Sequence, residues 1–169
     1  MKTKLILMIV AALLIGIGGL CIVKEKMKDK ININELEVSN IKSFYITYSN
    51  GYMINAYTRY QLILEDGVYI AKIKPYGVYE EDELEIKVEE TLMEKIVNIL
   101  VKYEVNKWNG FDKTDKYVLD GDSFSFSVLL NNDKSISASG YMMWPEHFRD
   151  VVGEISPLFM DIYNKENLD

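Results

Sequence analysis

From Leu5 to Val23 every position is apolar or glycine, a run of 19, whereas beyond Ile41 the apolar positions first alternate and then recur at helical spacing. A helix of about 20 such residues crosses a hydrocarbon core of about 30 Å, so the first run predicts a membrane or signal helix. Residues 24–40 are charged and read as a tether. Ile41 to Tyr48 then places Phe44, Ile46 and Tyr48 on one strand face, and Tyr52 to Leu64 places Tyr52, Ile54, Ala56, Tyr60, Leu62 and Leu64 on one face. A two-residue Asn50-Gly51 turn would set these rows on opposite faces. A three-residue Ser49-Asn50-Gly51 loop instead pairs Tyr48 with Tyr52 and Ile46 with Ile54, so that loop is expected, with Gly51 left-handed in a bulge.

The next turn reverses the arithmetic. A two-residue Asp66-Gly67 loop pairs Leu64 with Tyr69, Leu62 with Ala71 and Tyr60 with Ile73, which keeps one apolar face. Pro75, Tyr76 and Gly77 end the third strand, Glu80 to Glu83 read as a solvated acidic loop, and Leu84, Ile86 and Val88 alternate as a fourth strand. Thr91 and Glu94 have capping-box spacing, and Leu92, Ile96, Ile99 and Tyr103 form the stripe of a helix to about Val105. A second hairpin with Asn132-Asp133-Lys134 as its loop sets Phe126 opposite Gly140. The last helix opens at Pro145, buries Phe148, Val151, Val152, Ile155, Phe159 and Ile162, and should kink or restart at Ser156-Pro157.

The order β-β-β-β-α-β-β-α predicts an α+β domain over residues 41–169, an antiparallel sheet with both helices packed on one face. Its other face carries Ser123, Ser125, Ser127, Ser137 and Ser139, too polar for a core.

Charge and cysteine content narrow the setting. The first 30 residues hold six of the 19 Lys and Arg and two of the 26 Asp and Glu, which leaves 13 against 24, a net −11, on residues 31–169. So acidic a body repels phosphate backbones, and nucleic acid is not an expected partner. One Cys in 169 residues excludes a disulfide scaffold and any zinc site of paired thiolates. That residue, Cys21, lies near the end of the apolar run, where bacterial lipoproteins carry a lipidated cysteine. Its context Gly18-Gly19-Leu20-Cys21 departs from a lipobox in the bulky Leu20 and in Gly18. Retained anchor, lipid anchor and cleaved signal all remain open. Lysines flank the run on both sides, so charge does not orient it; export is expected because secretory signals also open on a short basic stretch. Ala12, Gly16 and Gly19 share a helical face that could bring two spans together as a homodimer.

Catalytic units are not evident. His147, the single histidine, has no reactive serine elbow or thiol to serve and falls in the first turn of a helix, where exposure is expected. Asp112, Asp115, Asp120 and Asp122 lack the ligand alternation of a calcium loop and read as turn residues. No cofactor is expected. Tyr45, Tyr57 and Arg59 fall on the face of the first hairpin opposite its apolar row, where tyrosine tips could bind a ligand or simply suit an exposed strand. Trp108 and Phe111 flank a turn and either plug the end of the sheet or, exposed, grip a sugar or peptide.

Lys107-Trp108-Asn109-Gly110-Phe111, then Val118-Leu119-Asp120-Gly121-Asp122-Ser123-Phe124-Ser125-Phe126, then Ala138-Ser139-Gly140 and Pro145-Glu146-His147-Phe148 together resemble a family of uncharacterised exported, lipoprotein-like proteins of clostridia and related Gram-positive bacteria. The resemblance implies an extracytoplasmic location across most of the exported part and transfers no activity or site. The expectation is therefore a non-enzymatic binding or interaction module of the cell envelope, held at the membrane through residues 5–23. An envelope hydrolase using acidic residues and a structural assembly subunit are the alternatives.

Overall fold

The computed structural model describes residues 31–49 and 56–167. The apolar run, Cys21, Tyr52 and Ile54 lie outside them, and no helix among the described residues is long and apolar enough to cross a membrane. The domain begins earlier than expected. Ile31 and Leu36 are buried in the core, and Asn32 caps a 3-10 turn over Ile33–Glu35 while Glu35 reaches back to the Asn32 N–H at 3.0 Å. The stretch read as a tether therefore belongs to the fold from Ile31 onward, because two of its apolar side chains have a core to enter.

Among the described residues the fold is a mixed α+β domain with seven strands: β1 (Ile41–Ser49), β2 (Tyr57–Glu65), β3 (Val68–Lys74), β4 (Leu84–Val88), β5 (Phe111–Thr114), β6 (Ser123–Leu130) and β7 (Ser135–Tyr141). Two helices, α1 (Glu90–Lys102) and α2 (Phe148–Glu166), complete it. The sheet runs β4-β3-β2-β1-β6-β7-β5, antiparallel except that β5 joins β7 in parallel. One sheet face makes the core with both helices. Phe159 of α2 stacks on Tyr60 at 4.7 Å and on Phe44 at 6.3 Å, and Met93, Ile96 and Leu100 of α1 are fully buried in the same cluster. Each such side chain stabilises the fold by about 1.5 to 3 kcal/mol.

The Asp66-Gly67 turn pairs Leu64 with Tyr69, Leu62 with Ala71 and Tyr60 with Ile73, as expected, with Asp66 and Gly67 both at positive φ (48° and 80°). Two residues at positive φ give the turn the twist that a two-residue hairpin needs. The other hairpins slip. Tyr48 pairs with Thr58 and Ile46 with Tyr60, so the expected Tyr48–Tyr52 register is wrong, while Phe44, Ile46, Tyr48, Ala56, Tyr60, Leu62 and Leu64 keep their expected face; the Gly51 bulge, Tyr52 and Ile54 lie outside the described residues. In the second hairpin Phe126 faces Ala138, and it is Phe124 that faces Gly140. The cause lies in the turn. Asp133 N–H donates to Leu130 O at 3.0 Å, Leu130 N–H donates to Lys134 O at 2.8 Å, and Asp133 takes φ 61°, which makes Asn131-Asn132-Asp133 the loop.

Four further expectations change. The short strand β5 is additional to the expected order, held to β7 by backbone pairing from Phe111–Ala138 to Thr114–Tyr141. Helix α1 starts at Glu90 after Glu89, without a side-chain cap from Thr91: Val88 is still paired to Tyr69, so the chain turns at once, and Leu92 N–H donates to Glu89 O. It ends at Lys102, because Glu104 at φ 49° opens a 3-10 turn over Val105–Trp108 that drives Val105 and Trp108 inward. Pro145 starts a turn rather than the helix: α2 begins at Phe148 after His147 and continues through Pro157.

Candidate functional site

The sheet face turned away from the helices carries hydroxyls at its centre, bordered on one side by the more apolar row Ile70-Ile63-Ser43-Leu129-Ser135. Across its centre Arg59, Thr47, Ser125, Ser139 and Asp112 stand in one row, Gln61, Tyr45, Ser127 and Ser137 in the next, and Tyr57, Ser49, Ser123 and Tyr141 in a third. Ser125 and Ser137 are exposed. Alternation dictates this: apart from Leu129, β1, β6 and β7 turn their aliphatic residues to the core side and leave Ser, Thr and Tyr for the other. Short side chains form a shallow floor whose hydroxyls each donate one bond and accept others. Several are already oriented, with Ser49 and Ser123 Oγ atoms 2.6 Å apart, Thr47 Oγ1 donating to Thr58 O at 2.8 Å, and Ser139 Oγ donating to Asp112 Oδ1 at 2.9 Å.

One end of the floor is walled by an ion cluster. Arg59 Nε donates to Glu83 Oε1 at 2.7 Å, and Arg59 Nη2 and the Tyr57 hydroxyl both donate to the Glu80 carboxylate. Lys74, paired with Arg59 across the strands, is fully covered; its Nζ donates to Tyr57 O at 3.1 Å and lies 3.7 Å from the centre of the Tyr57 ring. Burial pushes the Lys74 pKa below the ordinary lysine value, with Arg59 adding to the effect while Glu80 and Glu83 oppose it. The Tyr57 hydroxyl and Arg59 hold the Glu80 carboxyl below its ordinary range, and Glu80 in turn holds the Tyr57 phenol above its own. The acidic loop is therefore turned inward at Glu80 and Glu83, not left wholly to solvent. These two carboxylates converge on a guanidinium, which fixes Glu80 as an anion, the opposite of what a general acid needs.

Tyr45, Tyr57 and Arg59 thus share the hydroxyl face. Trp108 and Phe111 do not. Trp108 is only 2% exposed, its Nε1–H donates to Glu146 O at 3.0 Å, and its ring meets Phe126 edge-on, so it is a core residue rather than a ligand-gripping one. Phe111 is half-buried beside Phe124. Both border a 420 Å³ surface hollow with Lys107, Lys113 and His147, on the other side of β5 and β7 from the serines. His147 is half-exposed, with Nδ1 3.0 Å from an Asp150 carboxylate oxygen and no nucleophile beside it among the described contacts. Asp115 accepts from the Tyr117 N–H at 3.0 Å, a turn role. Among the described residues no three His, Cys, Asp or Glu side chains gather as a metal ion would require.

Sequence reasoning missed Lys74, Glu80 and Glu83. The first was recoverable, since the Asp66-Gly67 register itself sets Lys74 beside Arg59; the two glutamates arrive from an irregular loop. Compared with family models and with curated proteins, the chain matches none.

Proposed function

We propose that the chain is an extracytoplasmic binding module, held at the membrane by its apolar leader, that receives an extended, hydroxyl- and amide-rich polymer along the serine face of its sheet. The observation that supports this reading is the set of continuous rows Arg59-Thr47-Ser125-Ser139-Asp112 and Gln61-Tyr45-Ser127-Ser137. Such rows offer paired donors and acceptors at the strand spacing of about 4.8 Å, with Tyr45 as an aromatic platform for a sugar ring. The net −11 of residues 31–169 disfavours polyanions such as phosphate polymers and leaves neutral wall glycan as the fitting chemistry.

The test uses the full-length chain in detergent micelles, co-sedimented with purified peptidoglycan freed of phosphate polymers. The wild-type chain should pellet with the glycan. The pair Ser125→Val and Ser137→Val removes two exposed hydroxyls, keeps β-propensity, and should release the chain while leaving its unfolding midpoint in place. Undiminished pelleting of that variant removes the reading.

A further inference from the structure

A second concavity lies where the end of β1 and the start of β6 meet the first turns of α2, apart from the hydroxyl floor's centre. It encloses 290 Å³, at the lower end of the about 300 to 1,000 Å³ usual for small-molecule sites, so its occupant is small. The walls are apolar and aromatic: Tyr48 on one side, Trp144 and Phe148 stacked at 5.4 Å on the other, and Val152 between. Phe124, 4.5 Å from Phe148 and 5.7 Å from Trp144, backs the aromatic wall and fixes it.

Two opposite charges border this apolar space. Asp122 and Arg149 both line it, yet neither forms an ion pair with the other or with any other described residue. That contrasts with Arg59, which is held by two carboxylates. Arg149 is exposed and Asp122 half-buried; the Asp122 backbone is fixed by Met142 N–H donating to Asp122 O at 2.8 Å. A glycine is among the residues that line the concavity. Gly153 sits inside α2, where glycine costs about 0.5 to 1 kcal/mol relative to alanine, and a Cβ built there would meet nothing within 4 Å. A side chain at this position would occupy the mouth.

We infer that this pocket binds a free apolar amino acid as its zwitterion. The side chain enters between Tyr48 and Trp144, the carboxylate meets the Arg149 guanidinium, whose fork suits two parallel hydrogen bonds, and the ammonium meets Asp122. Burial of the apolar body supplies the affinity, and the two charges select a molecule carrying both termini on one carbon. Ser49 and Ser123 of the third hydroxyl row also line the pocket, but the inference rests on Asp122, Trp144 and Arg149, none of which belongs to the two rows that carry the glycan reading.

The experiment is isothermal calorimetry on the full-length chain in detergent with L-phenylalanine and L-leucine as probes. Saturable binding with a Kd below about 1 mM is expected for at least one of them. N-acetyl-L-phenylalanine, which lacks the ammonium, and L-phenylalanine amide, which lacks the carboxylate, should each bind at least tenfold more weakly, as should wild-type ligand to Asp122→Asn and Arg149→Gln. Gly153→Leu should abolish binding without lowering the unfolding midpoint, and Arg149→Gln, a surface change, decides the matter should that variant misfold. The inference is overturned by absence of saturable binding to both amino acids, by equal affinity for either blocked form (a peptide end would then be the occupant), or by unchanged affinity in Arg149→Gln.

Discussion

Replacing Gly140 by alanine tests the core and its register together. A Cβ on Gly140 would stand 2.1 Å from the carbonyl oxygen of Met143 and 2.5 Å from Cε1 of Phe124. Neither can withdraw freely. The first is backbone, and the second belongs to a ring packed between Phe148, Trp144 and Phe111. Overpacking of this kind costs about 1 to 3 kcal/mol, and a backbone oxygen as one of the two obstacles places Gly140→Ala at the upper end, about 3 kcal/mol. For a domain of this size that is a fall of roughly 10 °C in melting temperature. Gly153→Ala makes the same chemical change in an open helical position and should instead stabilise by about 0.5 to 1 kcal/mol.

The assay is urea unfolding followed by tryptophan fluorescence, with Phe124→Leu and Phe126→Leu as second mutations. Trimming Phe124 relieves one of the two clashes, so Gly140→Ala and Phe124→Leu should cost less together than the sum of the single changes, by about 1 kcal/mol or more. Phe126 faces Ala138, so its truncation should add to Gly140→Ala within about 0.5 kcal/mol. If Gly140→Ala lies within about 0.5 kcal/mol of wild type, or if the coupling follows Phe126, the register and the steric reasoning both fail.

Other outcomes follow from the same geometry. Phe159→Ala, which empties the site between Phe44 and Tyr60, should lose about 3 to 5 kcal/mol in the same titration. Trp108→Phe keeps a ring but forfeits the bond to Glu146 O and leaves that acceptor bare, a loss of about 1 to 3 kcal/mol; a neutral result would remove Trp108 from the core's polar accounting. Glu35, Glu80 and Glu154 all have folded pKa values below the ordinary 4.5, held down chiefly by Lys134, Tyr57 and Lys102 respectively. The folded state therefore holds fewer protons on them than the unfolded one, so their contribution is complete above pH 4.5 and is lost as the pH falls through the lowered values. Urea midpoints at stepped pH should decline below pH 4.5, less steeply in Glu80→Gln, and equal slopes in the two proteins would contradict the assignment.

What the sequence discloses about this fold is face, and what it withholds is partner. A strand's side chains repeat every two residues, so sliding one strand past another by an even number leaves each residue on its own side. Both mistaken registers are slips of that kind: Tyr48 meets Thr58 in place of Tyr52, and Phe126 meets Ala138 in place of Gly140. Burial, the quantity that alternation reports, barely changes under such a slip, and only turn chemistry can choose among the survivors. Asp66-Gly67 chose, because two adjacent residues able to adopt positive φ leave one short loop. Asn131-Asn132-Asp133 did not, because three neighbouring polar residues could each have supplied the left-handed position that Asp133 takes. Strand β5 escaped for a different reason: Phe111-Asp112-Lys113-Thr114 has one apolar residue and hence no period, and its place is set by backbone bonds to an edge. The same division governs the candidate sites. That the serines share one face, and that Tyr45, Tyr57 and Arg59 share it, needs parity alone and was legible; the rows into which Thr47, Ser125 and Ser139 fall need the register and were not. The Glu80 and Glu83 partners of Arg59, and the meeting of Asp122 with Arg149 around one hollow, need the paths of irregular segments in space, about which a one-dimensional period carries no information.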